Sequence, residues 1–301
     1  MKVAYLDCFS GLSGDMTLAA LVDAGANRER LEQELRKLPL DHFRLEWRSV
    51  VKKGVSALKL DVVDEHAAPA GHDEQHHELH HEHHHHEHHH HDHHHDHHHH
   101  ELHHGDHHHD HDHDHEHHHG HHHHNHDHPH HHRRYKEIVD MITSAGLAPR
   151  VTERALAIFQ HIGVAEAKIH NVPLDTVHFH EVGALDSIVD IVGVALALED
   201  LEVDQVYSGP VPTGNGFVRC DHGLYPVPAP ATMEILKGIP LRFSAIQKEL
   251  TTPTGAGIAA ALAEKFGPLP AMTVEAIGYG AGARDLPDQP NVLRVLIGTL
   301  S

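Results

Sequence analysis

One histidine-rich segment limits what this chain can fold into more than any other feature. Of the 47 histidines, 40 lie between His72 and His132, a stretch that also holds 14 Asp or Glu and no Lys or Arg. Its only large apolar residues are Leu79 and Leu102, so it cannot bury a core of its own. We therefore predict that residues 72–132 are a disordered insertion, which leaves about 240 residues for a folded domain.

Metal binding is the chemistry that this segment favours. Neutral imidazole is a nitrogen ligand suited to nickel, copper and zinc, and a segment without thiolates argues against Cu(I). A purification tag is a poor explanation because the segment is internal and mixed with carboxylates, and a mere solvated linker is the other alternative. Affinity order alone favours copper over nickel, so the segment does not select the metal. We assign metal ligands to its densest runs: His83, His84, His85, His86, His88, His89, His90, His91, His97, His98, His99 and His100.

Charge and cysteine content exclude several classes of protein. Outside the segment the chain has 30 acidic and 23 basic residues, so no basic surface for nucleic acid is expected. Two cysteines, Cys8 and Cys220, make no disulfide framework. We find no signal peptide and no apolar run long enough to span a bilayer, so we expect a soluble cytoplasmic protein that does not bind membranes.

Apolar patterning on either side of the segment predicts strands alternating with helices. This indicates an α/β fold, a mixed α+β sandwich of undetermined strand order, in which residues 1–70 and 133–301 form one domain that could have two lobes. We predict strands at Lys2–Cys8, Phe43–Lys53, Val55–Asp64, Val203–Ser208, Val211–Arg219, Met272–Ile277 and Val292–Ile297. We predict helices at Asp15–Ala24, Arg28–Leu38, Tyr135–Ala145, Val151–His161 with a continuation to His170, Ala184–Leu201, Ala229–Leu236 and Pro253–Phe266.

The first chemical motif lies at the turn between the first strand and the first helix. Its backbone N–H groups, at Ser10, Gly11, Ser13 and Gly14, could bind an anion at a helix N-terminus. Two flanking carboxylates would repel a bare phosphate, unless a divalent cation bridges them to it. Simple helix capping is the structural alternative. The two carboxylates are Asp7 and Asp15.

A second motif joins histidines to the start of an apolar helix. In an extended segment His178 and His180 would point to one side, with Glu181 following, and Asp186 and Asp190 share one helix face. These five residues could form a metal or acid–base site. The structural alternative is surface histidines before a helix with acidic first-turn residues.

Two further motifs are weaker when each is taken alone. The segment Pro212–Gly216, with Cys220–Gly223 behind it, suits substrate contact or a tight hairpin. At the start of a later helix, Thr252, Thr254 and Gly255 could receive a phosphate or carboxylate, or Thr252 could only cap the helix.

Taken in order, these motifs resemble one family. The runs DCFSGLSGDM (7–16), HFHEVGALDSIVD (178–190) and PTGNGFVRCDHGLYPVPAPAT (212–232), with 249–257, 278–284 and 290–298, are similar to the LarC family, the nickel insertion proteins of nickel-pincer cofactor biosynthesis. The resemblance runs over the whole chain and includes a histidine-rich insertion at this place.

The resemblance implies a nickel insertase, a chelatase-type lyase. Its Ni²⁺ substrate would enter pyridinium-3,5-bisthiocarboxylic acid mononucleotide in a CTP-dependent step aided by Mn²⁺ or Mg²⁺. We then interpret Asp7, Asp15, His178, His180 and Glu181 as catalytic. The glycine-rich turn and the Thr252 region would contact the nucleotide, while the histidine-rich segment, His178, His180, Asp186 and Asp190 would bind metal.

Family members continue beyond the point that corresponds to Ser301 into a C-terminal domain that binds CTP. We therefore expect this chain to be the N-terminal part, with that domain on a partner chain. An apo lactate racemase-type enzyme is the implied client, and a homo-oligomer stays open. Two alternatives to an insertase are a histidine-rich nickel chaperone or store without catalysis, and a metal-dependent hydrolase that would use His178, His180 and Asp190.

Overall fold

The computed structural model describes residues 1–65, 133–179, 182, 184–220 and 223–301. They belong to one compact unit in which helices pack on a mixed sheet. The strands are β1 Lys2–Asp7, β2 Phe43–Lys52, β3 Val55–Asp64, β4 Gln205–Ser208, β5 Val211–Pro212, β6 Phe217–Cys220, β7 Gly223–Pro226, β8 Leu241–Arg242, β9 Ala263–Phe266, β10 Met272–Ala281 and β11 Val292–Leu300. The helices are α1 Gly14–Asp23, α2 Arg28–Leu35, α3 Tyr135–Ser144, α4 Pro149–His170, α5 Leu185–Asp200, α6 Pro230–Ile235 and α7 Pro253–Leu262, with a 3-10 turn at Leu174–Thr176.

The main sheet has seven strands in the order β2-β3-β10-β11-β1-β4-β9. Strands β1, β4 and β9 run parallel, and β11 lies antiparallel to both β1 and β10. The predicted α/β class is confirmed. The order could not be derived from patterning because strands distant in sequence, such as β1 and β11, pair side by side.

One face of the sheet carries the main core. Along β1, Ala4 and Leu6 point into the main apolar cluster, whereas Val3 and Tyr5 join a small cluster on the other face. Helix α5 is buried along most of its length, because it packs against α1, α2, α4 and β3. Close approach of α1 to β10 depends on glycine. A Cβ on Gly280 would overlap the Met16 carbonyl and lie 2.7 Å from the Ala20 nitrogen.

Two predicted elements are wrong in part. The helix predicted over Pro253–Phe266 ends at Leu262, and Ala263–Phe266 form strand β9 because they pair with β4. The strand predicted over Val211–Arg219 is interrupted after Pro212. Gly214 and Gly216 have φ angles of 81° and 93° there, which turn the chain out of the extended conformation.

The points where the chain leaves and re-enters the described structure around residues 66–132 lie close together. We call this place the stem, and it consists of Asp41, His42, Glu65 and Arg133. The Glu65 N–H donates to the His42 carbonyl at 3.0 Å, and the Arg133 guanidinium donates to Asp41 at 3.2 Å. The insertion predicted at 72–132, with all its assigned metal ligands, lies outside the described residues, and the proposed domain boundaries stay predictions.

In the part of the chain that the structure describes, no helix combines the length and apolar character needed to cross a membrane.

Candidate functional site

Helix α1, which follows the carboxyl end of β1, begins beside the start of α7 and next to Asp190 in the second turn of α5. Gly14, the first residue of α1, lies between Asp190 of α5 and Thr254 of α7. A Cβ on Gly14 would come within 2.7 Å of Asp190 Cβ and Oδ2 and within 2.9 Å of Thr254 Cγ2. Free N–H groups and positive dipole ends at helix starts favour negatively charged groups. Sites of α/β proteins also lie at the carboxyl ends of parallel strands, so this is the best-supported candidate site.

The glycine-rich turn is held against the start of α7. The Leu12 N–H donates to the Leu250 carbonyl at 3.0 Å, and the Thr252 N–H donates to the Leu12 carbonyl at 3.1 Å. Gly255 sits so close to this turn that a Cβ would overlap the Leu12 carbonyl. The two motifs predicted to contact a nucleotide therefore form one structure, joined by backbone hydrogen bonds.

Several side chains of these motifs already have partners. The Thr252 hydroxyl accepts the Gly255 N–H at 3.2 Å, which is the capping role considered for it. Ser10 is fully buried, and its hydroxyl accepts a hydrogen bond from Gln289 at 3.0 Å. Ser13 donates to the Asp15 carboxylate. Contact of these residues with a nucleotide stays a prediction.

The central acidic feature is the pair formed by Asp15 and Asp190, which stand on α1 and α5. Asp190 is only 8% exposed, and its Oδ2 lies close to Gly14 at the start of α1. Its Oδ1 is buried and has no hydrogen-bond partner among the described residues. Burial first and the Asp15 charge second raise the pKa of Asp190 well above its ordinary value. Burial also raises the pKa of Asp15, against the lowering effect of the Ser13 hydroxyl.

Other charges surround this pair. Asp186 is exposed in the first turn of α5, and its carboxylate accepts the Ser187 N–H at 2.7 Å. Its charge also raises the pKa of Asp190. Lys59 of β3 lowers the pKa of both Asp15 and Asp190, and its Nζ donates to Asp61 at 2.7 Å. The site therefore combines carboxylates from two helices with a half-buried lysine from the sheet.

Asp7, predicted to act with Asp15, is engaged elsewhere. It ends β1 directly opposite Arg294 on β11, and the Arg294 Nε donates to its carboxylate at 2.9 Å with a second, closer guanidinium contact. An ion pair with this geometry holds the carboxylate in place. The catalytic role predicted for Asp7 is not tested by this arrangement, and Arg294 was not among the residues that patterning singled out.

His178 lies on the surface near the stem. Its neighbours Val177 and Phe179 are buried, and Phe179 packs against Tyr135 and Phe159, so alternation turns His178 outward. The segment pairs with the chain that follows the histidine-rich insertion, since the Phe179 N–H donates to the Arg133 carbonyl at 3.2 Å. His180 and Glu181 lie outside the described residues. The described residues contain no ready cluster of three or more His, Cys, Asp or Glu side chains around a metal position.

Sequence reasoning had placed Asp15 and Asp190 in separate motifs, and the structure brings them together. The sequence signal for this meeting was weak. Asp15 lies in the first turn of α1 and Asp190 in the second turn of α5, and neither position indicates which helix it contacts. Lys59 carried no local signal at all, since it lies in an ordinary alternating strand.

Comparison with known proteins gives a consistent result. The profile described as "Nickel insertion protein" matches residues 4–301. A pyridinium-3,5-bisthiocarboxylic acid mononucleotide nickel insertion protein of Geobacillus kaustophilus is 48% identical over 298 residues, 99% of this chain. Proteins of the same name from Staphylococcus epidermidis and Desulfitobacterium hafniense are 41% and 38% identical over 98% and 100% of this chain.

The chain spans about 60% of the length of the curated relatives it matches, with 60%, 59% and 59% for these three. The expectation that it is specifically an N-terminal part is not borne out, because the family profile is matched over nearly the whole chain. No solved structure matches it.

Proposed function

This chain belongs to the nickel insertion protein family, and from that premise we propose that it takes part in inserting Ni²⁺ into pyridinium-3,5-bisthiocarboxylic acid mononucleotide. The observation that carries the proposal is the family match over residues 4–301, and the starts of α1 and α7 beside Asp190 support it. The relatives' names supply the substrate, a mononucleotide with two thiocarboxylate groups. We infer that the product is the nickel-pincer cofactor of lactate racemase-type enzymes.

The proposed reaction needs a base and an anion site. Nickel binds the two thiocarboxylate sulfurs and replaces the proton on the ring carbon between them, so one proton leaves and no electrons are transferred. A carboxylate whose pKa is raised is a better proton acceptor than an ordinary one. Asp15 has this property and borders the site. We propose Asp15 as the group that accepts the ring proton.

We propose that the phosphate of the mononucleotide binds at the starts of α1 and α7, with a divalent cation offsetting the charge of the nearby carboxylates. The N–H groups and dipoles of these helix starts favour a phosphate, and we propose that the turn with Ser10, Gly11, Ser13 and Gly14 contacts it on one side. Thr252, Thr254 and Gly255 of α7 would contact it on the other side. This assignment is supported by the hydrogen bonds that join the two segments.

Nickel would reach the site from the histidine-rich insertion. The insertion rejoins the described structure at Arg133, which pairs with Phe179 beside His178. We propose His178 and Asp186, with His180 and Glu181, as the residues that receive nickel near the start of α5. The proposed reaction also depends on CTP with Mn²⁺ or Mg²⁺. CTP would bind a separate C-terminal domain or chain. A lactate racemase-type apoenzyme would receive the product.

The test is formation of the nickel-containing nucleotide, followed by mass spectrometry. The full chain would be supplied with Ni²⁺, the bisthiocarboxylated nucleotide, CTP, Mn²⁺ and the C-terminal portion of a full-length relative. We expect product with the full chain and with a variant lacking residues 72–132 when nickel is abundant. Closure of the stem by hydrogen bonds between Glu65 and His42 and between Arg133 and Asp41 makes this deletion compatible with the fold.

Single substitutions then separate insertion from storage. Asp15→Asn should abolish product formation while leaving nickel binding by the insertion intact, whereas Asp140→Asn, an exposed change on α3, should alter neither. A nickel store without catalysis would give no product under any condition and would lose its nickel on deletion of 72–132. That result would reject the proposed function.

A further inference from the structure

The two edges of the main sheet are protected to different degrees. At one edge, β9 has only four residues, and Gly267 and Pro268 follow it directly. A short strand beside a proline offers little backbone for pairing. At the other edge, β2 has ten residues, Phe43–Lys52, which is roughly 34 Å of strand. This strand lies wholly within the described residues, contains no proline, and pairs with β3 without a bulge.

The geometry of the hairpin identifies the backbone groups that line the β2 edge. The Glu65 N–H donates to the His42 carbonyl at 3.0 Å, so the even-numbered residues that follow His42 direct their N–H and C=O groups toward β3. Within the described ranges, the outward groups of the odd-numbered residues have no hydrogen-bond partner. They form a row of donors and acceptors that fits another extended strand. These residues are Phe43, Leu45, Trp47, Ser49 and Val51.

Symmetry limits how two copies of β2 can pair. A two-fold axis perpendicular to the sheet makes the strands antiparallel and keeps their side chains on matching faces. Outward backbone groups must also meet outward groups, so odd-numbered residues face odd-numbered residues. Two registers then pair almost the whole strand. One is centred on Trp47 and pairs residues 43–51 of both copies, and the other is centred on Arg48 and pairs residues 44–52.

Charge selects the register centred on Trp47. The other register would bring Arg48 against its own copy, so like charges would oppose one another. In the register centred on Trp47, Glu46 of each copy lies opposite Arg48 of the other copy, and opposite charges pair twice. Within one chain these two side chains form only exposed ion pairs, with Arg44 and Asp61. Such pairs contribute little to stability, so Glu46 and Arg48 are available to a second copy.

The same register covers apolar side chains on the helix-bearing face. Val51 is 70% exposed, and Phe43 of the other copy would lie directly opposite it. Trp47 is half-buried, with the Arg28 guanidinium 5.2 Å from its ring, and would lie beside its own copy at the axis. Aromatic side chains are enriched where protein surfaces associate.

We propose that two copies of this chain associate through β2, in the antiparallel register centred on Trp47, and share one continuous sheet. The outward backbone groups supply the hydrogen bonds, and Glu46 and Arg48 fix the register. This inference rests on no part of the proposed function.

The test is sedimentation equilibrium of the full chain in EDTA, over a concentration series that reaches about 100 μM, where contacts of ordinary strength are populated. EDTA is needed because imidazoles of two chains could share one metal ion. We expect a monomer–dimer equilibrium. Trp47 is the only tryptophan of the chain, so its fluorescence emission should shift to shorter wavelength as the dimer forms.

Ser49→Pro tests the backbone pairing. It removes one outward N–H from each copy and no hydrogen bond of the hairpin, since proline is tolerated where the N–H points away from the sheet. The loss of two symmetric hydrogen bonds should raise the dissociation constant of the dimer about 30-fold.

Charge reversal tests the register and keeps the proposal testable if Ser49→Pro does not fold. Glu46→Arg and Arg48→Glu should each dimerise at least about 10-fold more weakly alone, because like charges then oppose at both positions. A mixture of the two should form a heterodimer, since each arginine again faces a glutamate. Glu153→Arg, an exposed change on α4, should dimerise as the wild type does. A wild type that stays monomeric throughout the series overturns the proposal, and so does a dimer that Glu46→Arg or a folded Ser49→Pro leaves unchanged.

Discussion

Replacing Gly255 by alanine tests whether the joined turn and helix start are as closely packed as described. In an ordinary helix this substitution would stabilise the protein by about 0.8–1 kcal/mol, because alanine is the better helix former. Here the new Cβ would overlap the Leu12 carbonyl and lie 2.9 Å from the Ser13 nitrogen. These are backbone atoms, and they cannot rotate away.

The expected loss of stability follows from the backbone contacts that the new Cβ would disturb. Overpacking costs about 1–3 kcal/mol, and the two hydrogen bonds that fix Leu12 to Leu250 and Thr252 contribute about 1 kcal/mol each. After the gain in helix propensity, Gly255→Ala should destabilise the protein by about 2–4 kcal/mol. That corresponds to a fall in Tm of about 4–16 °C for a domain of this size.

Urea unfolding followed by circular dichroism measures the effect, and Gly257→Ala in the same helix is the matched control. A Cβ on Gly257 meets side-chain atoms and no backbone, with Ile162 Cγ1 at 2.6 Å and Cδ1 at 2.7 Å, so a small shift of side chains can relieve the contact. Its net cost should stay below about 1.5 kcal/mol. If Gly255→Ala is as stable as the wild type, or costs no more than Gly257→Ala, the packing argument for the site is wrong.

Three further predictions concern charge. Burial and the Asp15 charge raise the folded-state pKa of Asp190 above the ordinary value of 3.8. Protonation of Asp190 therefore stabilises the folded protein fully below pH 3.8, and this stabilisation is lost as pH rises through the folded-state pKa. Urea unfolding in EDTA from about pH 4 to 8 should show the wild type losing stability relative to Asp190→Asn. Arg294→Met should cost only about 1 kcal/mol in the same unfolding assay, because the Arg294 side chain is 42% exposed and solvent screens its pairing with Asp7; a loss above about 3 kcal/mol would contradict this. Nickel retained after dialysis should fall steeply between pH 7 and 5, because protons compete for imidazole, and a flat profile would show that the 40 histidines of residues 72–132 are not the ligands.

Local sequence patterns predicted the elements whose conformation is set by their own residues, without long-range contacts. The hairpin of β2 and β3 was predicted to within a residue, because both strands alternate and Lys53 and Gly54 take positive φ angles at the turn. Strand β9 was mistaken for helix because the run Ala-Glu-Lys-Phe is compatible with either state. Pairing with β4, a tertiary contact, decides the outcome.

The candidate site also has parts that the local sequence predicts and parts that only the tertiary structure determines. The helix starts at Gly14 and Pro253 could be recognised from glycines, hydroxyl residues and proline in a row. The meeting of Asp15 with Asp190 could not, because it depends on how α1 and α5 cross. The engagement of Asp7 by Arg294 likewise depends on the register between β1 and β11, which only the assembled sheet fixes.

The order of strands gives the stem a further consequence. The segment before residue 66 supplies β1, β2 and β3, and the segment after residue 132 supplies the remaining strands of the sheet. These two segments are interleaved, since β1 lies between β11 and β4, and β3 lies beside β10. A protease cut anywhere in residues 66–132 would therefore yield two fragments that stay associated through the shared sheet. The protein is, in effect, a natural candidate for fragment complementation, in which two separately made pieces assemble one carboxylate site.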